Sequence, residues 1–127
     1  MKLSIFFYQE NSSYNVNVID SNIHPNDVDS LVSSAVHKLY KVGQTCKVTG
    51  AKLFAFNKPI DLLVEVDGKQ VFNTAEVSEA FRTKLKFQRT KKGAQRFAVK
   101  TLAIVKEALD TFEVKTSPDQ VAEFIKE

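Results

Sequence analysis

The chain has 127 residues, a net charge of +3, a hydrophobic fraction of 43% and a charged fraction of 26%. This size and balance predict one folded domain, residues 1–127, that buries its own core without disulfides or metals. The single cysteine excludes an internal disulfide and favours a reducing compartment. No apolar stretch is long enough for a membrane span or a signal peptide, so we expect a cytoplasmic protein with no membrane partner.

The first predicted elements are two strands followed by a long helix. Residues 3–8 and 14–19 have strand character, the second with alternating apolar and Asn residues, and a polar stretch joins them as a hairpin. From about residue 25 to 42, apolar residues recur at three- and four-residue spacing, which predicts an amphipathic helix. The lysines and Gly43 near its end indicate the helix exit.

The middle of the chain has the composition of β-structure. Asp67-Gly68 is a strong signal for a tight hairpin turn, because Gly tolerates the positive φ that such a turn requires. In that register Val64 would face Val71. The predicted strands are residues 52–57, 62–66 and 69–72.

The last third of the chain has helical character. Thr74 is expected to cap a short helix, and residues 83–88 fit either a strand or a continuation of that helix. Residues 93–112 form a second long amphipathic pattern, and Ser117 begins a start signal for a short C-terminal helix. The residues expected to face inward from the short helix are Ala75, Val77, Ala80 and Phe81.

Together these elements predict a single α+β domain. Its antiparallel β-sheet would carry two long amphipathic helices, about 25–42 and 93–112, packed on it, with the short C-terminal helix added.

Few residues suggest catalysis. His24, His37 and Cys46 lie in different predicted elements without metal-ligand spacing, and the carboxylates are scattered over turns and helix starts. No nucleotide-binding or nucleophile motif is present. We therefore predict no enzyme, no metal and no cofactor. One alternative stays open, a nucleophile pair of Cys46 and His37, against an apolar Cys46 at the start of a strand.

One segment is strongly basic. Between residues 82 and 100 there are eight Lys or Arg and no Asp or Glu, so the rest of the chain carries a net charge of −5. Such a run forms either a solvated face or a surface for a polyanion. The candidate nucleic-acid-binding residues are Arg82, Lys84, Lys86, Arg89, Lys91, Lys92, Arg96 and Lys100.

Lys91 and Lys92 are the most informative members of this set. They precede the predicted start of a helix, whose positive dipole end favours acidic residues there. An external anion such as a phosphate would explain two lysines at this position. Arg96 and Lys100 are four residues apart and extend the charge along one helix face.

Two short stretches resemble RNA-binding families. The sequence TKKGAQRFAVKTLAIVKEAL, residues 90–109, resembles the last helix of double-stranded RNA-binding domains, with a β-hairpin before it and residues 74–89 between. That resemblance implies that Lys91 and Lys92 bridge RNA phosphates across the major groove. KLFAFN, residues 52–57, is similar to the aromatic strand of RNA-recognition motifs, which implies base stacking by Phe54 and Phe56, with a core role as the alternative.

The sequence therefore predicts a small non-enzymatic nucleic-acid-binding protein of regulatory type that contacts the phosphates of DNA or RNA. The main alternative is a protein–protein interaction module, an inhibitor or adaptor, that uses the basic face against an acidic partner. A small enzyme with a distributed site is the third hypothesis.

Overall fold

A computed structural model describes residues 1–82 and 85–115 of the chain. The predicted C-terminal helix from Ser117 and the predicted site residue Lys84 lie outside these ranges. The elements are β1 (Leu3–Tyr8), β2 (Asn15–Asp20), a 3₁₀ turn (Pro25–Asp27), α1 (Val28–Thr49), β3 (Asp61–Val66), β4 (Lys69–Asn73), a second 3₁₀ turn (Thr74–Glu76), α2 (Glu79–Arg82) and α3 (Lys91–Lys115).

The four strands form one antiparallel sheet in the order β2-β1-β3-β4. Ile5 pairs with Val18 of β2 and with Val64 of β3. Leu3, Ile5 and Phe7 alternate along β1 and are fully buried in the main core, which also contains the apolar stripes of α1 and α3. The prediction of an α+β fold with an antiparallel sheet and packed helices is confirmed.

Helix α1 is longer than predicted. It continues to Thr49, and Gly50 ends it in the left-handed conformation with φ of +75°, where its N–H donates to the Cys46 carbonyl. The predicted exit at Gly43 is wrong, because this glycine serves packing within the helix. Cys46 is a buried helical residue rather than the start of a strand.

Residues 52–57 do not form the predicted strand. They lie in bends and turns between α1 and β3. Phe54 is 6% exposed in the core, and Phe56 is half-buried against it. Sequence patterning failed here because aromatic residues at alternate positions also suit a loop that covers the end of a core.

The hairpin turn is correctly predicted, but its register is not. Asp67 and Gly68 both have positive φ, 52° and 82°, as a type I′ turn requires. A bulge after Val64 shifts the pairing, so that Val64 faces Phe72 rather than Val71. An alternating pattern of apolar and polar residues does not reveal a single extra residue in a strand.

The segment after β4 is more exposed to solvent than predicted. Asn73, rather than Thr74, accepts the capping hydrogen bond from the Ala75 N–H at 3.0 Å. Ala75, Val77 and Ala80 are exposed instead of facing inward. Of the four residues predicted to face inward, only Phe81 is half-buried, and its ring centroid lies 6.3 Å from that of Phe72.

Helix α3 begins two residues before the predicted start. The Thr90 hydroxyl accepts a hydrogen bond from the Gly93 N–H at 3.0 Å, so Lys91 and Lys92 belong to the first turn. The amphipathic pattern predicted for this helix corresponds to a stripe on which Phe97, Thr101, Val105, Ala108 and Leu109 are buried and Ala94, Ala98 and Phe112 are half-buried.

Candidate nucleic-acid interface

The two long helices run antiparallel. Near the start of α1, Asp29 forms an ion pair with Lys106 of α3 at 3.3 Å. Farther along α1, Tyr40 and Lys91 line the same groove. The C-terminal half of α1 therefore lies beside the N-terminal half of α3.

Two glycines, one in each helix, leave room for the connection that precedes α3. A Cβ on Gly43 of α1 would lie 2.9 Å from Arg89 Cγ, and a Cβ on Gly93 of α3 would lie 2.6 Å from the Gln88 carbonyl oxygen. Both distances are shorter than ordinary van der Waals contacts. The connection that precedes α3 therefore packs closely against both helices.

Hydrogen bonds hold the same connection on α1. Gln44 Nε2 and Lys47 Nζ both donate to the Arg89 carbonyl, at 3.1 and 2.9 Å. The Arg89 guanidinium lies 5.0 Å from the centroid of the Phe56 ring, a cation–π distance. Arg89 thus has a structural role at this point, although its sequence suggested phosphate contact.

Aromatic packing fixes the start of α3 on the sheet. The Phe97 ring centroid is 5.5 Å from that of Phe7 on β1 and 5.1 Å from that of Phe87. Leu85 and Phe87 are buried, yet residues 86–88 have no regular secondary structure. Residues 85–88 therefore form an irregular connection, neither strand nor a continuation of α2, whose apolar side chains Leu85 and Phe87 enter the core.

Four of the predicted site residues share one region. Lys91, Lys92, Arg96 and Lys100 are exposed on the first three turns of α3. Arg96 Nη2 lies 3.5 Å from Gln88 Oε1, and its Nε donates to the Lys92 carbonyl at 3.4 Å. Lys86 is also exposed, in the connection before the helix. Since Lys91 and Lys92 now occupy the first helical turn, their positive charge is less favourable for helix stability than the sequence suggested.

Arg82 has a different environment. Its guanidinium forms a two-point ion pair with Asp61, at 2.9 Å from Nε to Oδ1 and 2.8 Å from Nη2 to Oδ2. Asp61 is 2% exposed and also accepts from the Thr74 hydroxyl at 2.9 Å. The hydrogen bond and the charge of Asp61 raise the pKa of Arg82. Arg82 therefore neutralises a buried carboxylate, and we leave it out of the interface.

The structure adds lysines that sequence reasoning missed. Lys38 and Lys41 of α1 are exposed and line a hollow between α1 and β2, where Lys38 Nζ donates to the Asn17 carbonyl at 3.4 Å. His37 lines both this hollow and the groove that contains Lys91. We define the basic surface as six exposed cations, two on α1 and four on the first three turns of α3. Its members are Lys38, Lys41, Lys91, Lys92, Arg96 and Lys100.

The sequence contained a signal for Lys38 and Lys41. Residues 30–60 contain five Lys and no acid, and residues 80–106 contain nine Lys or Arg and no acid. All 15 Asp and Glu lie elsewhere. The antiparallel helices place these two acid-free segments side by side, so their charges add to one field.

The pair of Cys46 and His37 is ruled out by position. Both residues lie on α1, nine residues and about 13 Å apart along the helix axis, with Cys46 buried and His37 exposed. Across residues 1–82 and 85–115, no three His, Cys, Asp or Glu side chains are grouped so that they could hold a metal ion. In the same residues no helix combines the length and the apolar character of a membrane span.

Comparison with protein-family models, curated proteins and solved structures found no match to this chain.

Proposed function

We propose that this protein binds nucleic acid through the basic surface, by contacts to phosphates. One observation carries the proposal: the fold places two acid-free segments, residues 30–60 and 80–106, side by side, so that no acid within them offsets their positive charge. Each phosphate that a Lys or Arg neutralises releases condensed counterions, which is the dominant source of sequence-independent affinity.

The placement of Lys91 and Lys92 supports the same conclusion. Neither forms an ion pair with any described residue. Both stand in the first turn of α3, where exposed Asp or Glu would favour folding by a few tenths of a kcal/mol each. Two lysines that oppose helix stability and have no ion-pair partner among the described residues are explained by an external anion.

Phosphate contact of this kind gives affinity without sequence selectivity. It needs neither a cofactor nor a metal. A regulatory role would follow if occupancy of a nucleic acid by this protein blocked other factors. An acidic protein partner is the competing hypothesis for the same surface, and the experiment below separates the two.

The test compares two charge-matched variants. Lys91→Gln/Lys92→Gln removes two charges from the basic surface, and Lys2→Gln/Lys69→Gln removes two exposed charges at the ends of strands. Binding to single- and double-stranded DNA and RNA would be followed by fluorescence anisotropy between about 50 and 200 mM salt.

We expect binding that weakens steeply with salt, and a loss of affinity of about tenfold or more in the helix variant alone. Equal weakening in both variants would show that only net charge matters and would overturn the assigned surface. Absence of binding to all four nucleic acids would overturn the proposed function and favour the acidic protein partner.

A further inference from the structure

A groove crosses the basic surface between α1 and α3. Its volume is about 370 Å³, within the range of small-ligand sites. Val36 of α1 and Ala94 and Ala98 of α3 are buried or half-buried along its floor. Alanine at both α3 positions leaves space that larger side chains would fill if the helices only needed to pack.

The rim of the groove contains aromatic and polar groups. The His37 and Tyr40 rings lie on the α1 side, with centroids 6.5 Å apart and planes 29° from parallel. Gln95 and Lys91 lie on the α3 side. A Gln amide can both donate and accept hydrogen bonds, as the edge of a nucleobase can.

The positive charge around the groove favours a ligand that carries anionic groups. Lys91 lies on one rim, and His37 on the other rim also lines the neighbouring hollow that contains Lys38 and Lys41. No acid occurs in residues 30–60 or 80–106, which supply every residue of the groove. The complementary ligand is therefore a flat, partly apolar group that is attached to anions on both sides.

We infer that the groove receives an unpaired base of a single-stranded nucleic acid, whose flanking phosphates lie on the basic surface. This inference rests on the proposed function and specifies its substrate class. A paired duplex offers its phosphates but keeps its bases stacked, whereas single strands present bases that aromatic side chains can contact. Base contacts of this kind are tolerant of sequence, since every base has a π-face.

An abasic strand provides the direct test. The unmodified protein would be titrated with a single-stranded DNA oligonucleotide and with an abasic DNA strand of the same length, which keeps the phosphates. Loss of base contact should weaken binding to the abasic strand about tenfold, with a similar salt dependence for both. Equal affinity for the two strands would overturn the inference while leaving phosphate binding intact. Failure of both strands to bind would instead overturn the proposed function.

A pair of leucine variants locates the contact. Ala98→Leu fills the groove, whereas Ala103→Leu adds the same atoms at an exposed position of α3 outside it. Ala98→Leu should remove the difference between normal and abasic strands, and Ala103→Leu should retain it. Ser33→Leu fills the groove from exposed Ser33 on α1 and serves if Ala98→Leu does not fold. Retention of the full difference in a folded groove-filling variant would contradict the assigned position.

Discussion

Arg82 and Arg96 belong to the same acid-free segment, yet the structure gives them opposite surroundings. Arg82 pairs at two points with Asp61, a carboxylate that is 2% exposed. Arg96 is exposed on α3, and its hydrogen bonds, to Gln88 and the Lys92 carbonyl, are 3.5 and 3.4 Å long. The cations of this one segment therefore have two roles: Arg82 neutralises a buried carboxylate, whereas Arg96 lies on an exposed surface.

The largest predicted effect tests this difference through stability. Arg82→Ala leaves the buried Asp61 carboxylate without its cation, and we expect it to lower the free energy of unfolding by about 2–4 kcal/mol. The matched change Arg96→Ala should stay within about 0.5 kcal/mol of the parent. Urea unfolding measures both, and an equal loss in the two variants would remove the distinction.

The same two variants should reverse their order in binding. Measured where both are folded, Arg96→Ala should lower the slope of log affinity against log salt by about 0.7 for a single strand. Arg82→Ala should leave that slope unchanged. A reduced slope for Arg82→Ala would place Arg82 on the interface after all.

A smaller effect is expected at Gly93, which positions the surface. Gly to Ala ordinarily stabilises a helix interior by about 1 kcal/mol. Here the added Cβ would meet the Gln88 backbone oxygen at 2.6 Å, so Gly93→Ala should instead destabilise by about 1–3 kcal/mol. A more stable variant, measured by urea unfolding, would contradict the close packing of the connection on α3.

Loss of the first-turn lysines should act in the opposite direction. Lys91→Gln/Lys92→Gln removes charge that the helix dipole disfavours, and we expect stability to rise by a few tenths of a kcal/mol per residue. Thermal unfolding at low salt would detect the change most readily, with Lys2→Gln/Lys69→Gln as the control. A stability loss would show that these lysines support the fold, which would weaken the case for an external anion.

The polar cluster around Arg82 should also respond to alkali, through Tyr8. Tyr8 donates to Asn73 Oδ1 at 2.5 Å, and burial, together with the charge of Asp61, raises its pKa above the ordinary 10.0. The Arg82 charge opposes this shift. The folded state thus binds the phenol proton more tightly than the unfolded state.

This contribution to stability is complete below the unfolded pKa and disappears as pH rises through the folded pKa. Relative to Tyr8→Phe, the parent should lose stability as the pH rises above the ordinary tyrosine pKa of 10.0. A constant difference between the two proteins over this range would contradict the raised pKa.

Sequence patterning found the secondary structure where the physical signal is local. The α1 stripe, the buried stripe of α3 and the Asp67-Gly68 turn each depend on residues within a few positions of one another. It failed where a distant contact decided the outcome. Gly43 resembled a helix end because nothing local shows that Arg89 packs on it.

The candidate site divides in the same way. The α3 cations followed from charge and helical spacing, but Lys38 and Lys41 joined them only through the antiparallel packing of two helices. The role of Arg82 also required its partner Asp61, 21 residues earlier in the chain. Charge sign can be predicted from a sequence, whereas the partner of a charge depends on the tertiary fold.

The most direct test of the account is the salt dependence of single-strand binding by Lys38→Gln/Lys41→Gln. These two lysines lie far in sequence from the predicted basic segment and belong to the interface only if the fold unites α1 with α3. We predict that the slope of log affinity against log salt falls by about 1.4, as for two lost phosphate contacts. An unchanged slope in this folded variant would contradict a shared surface of the two helices.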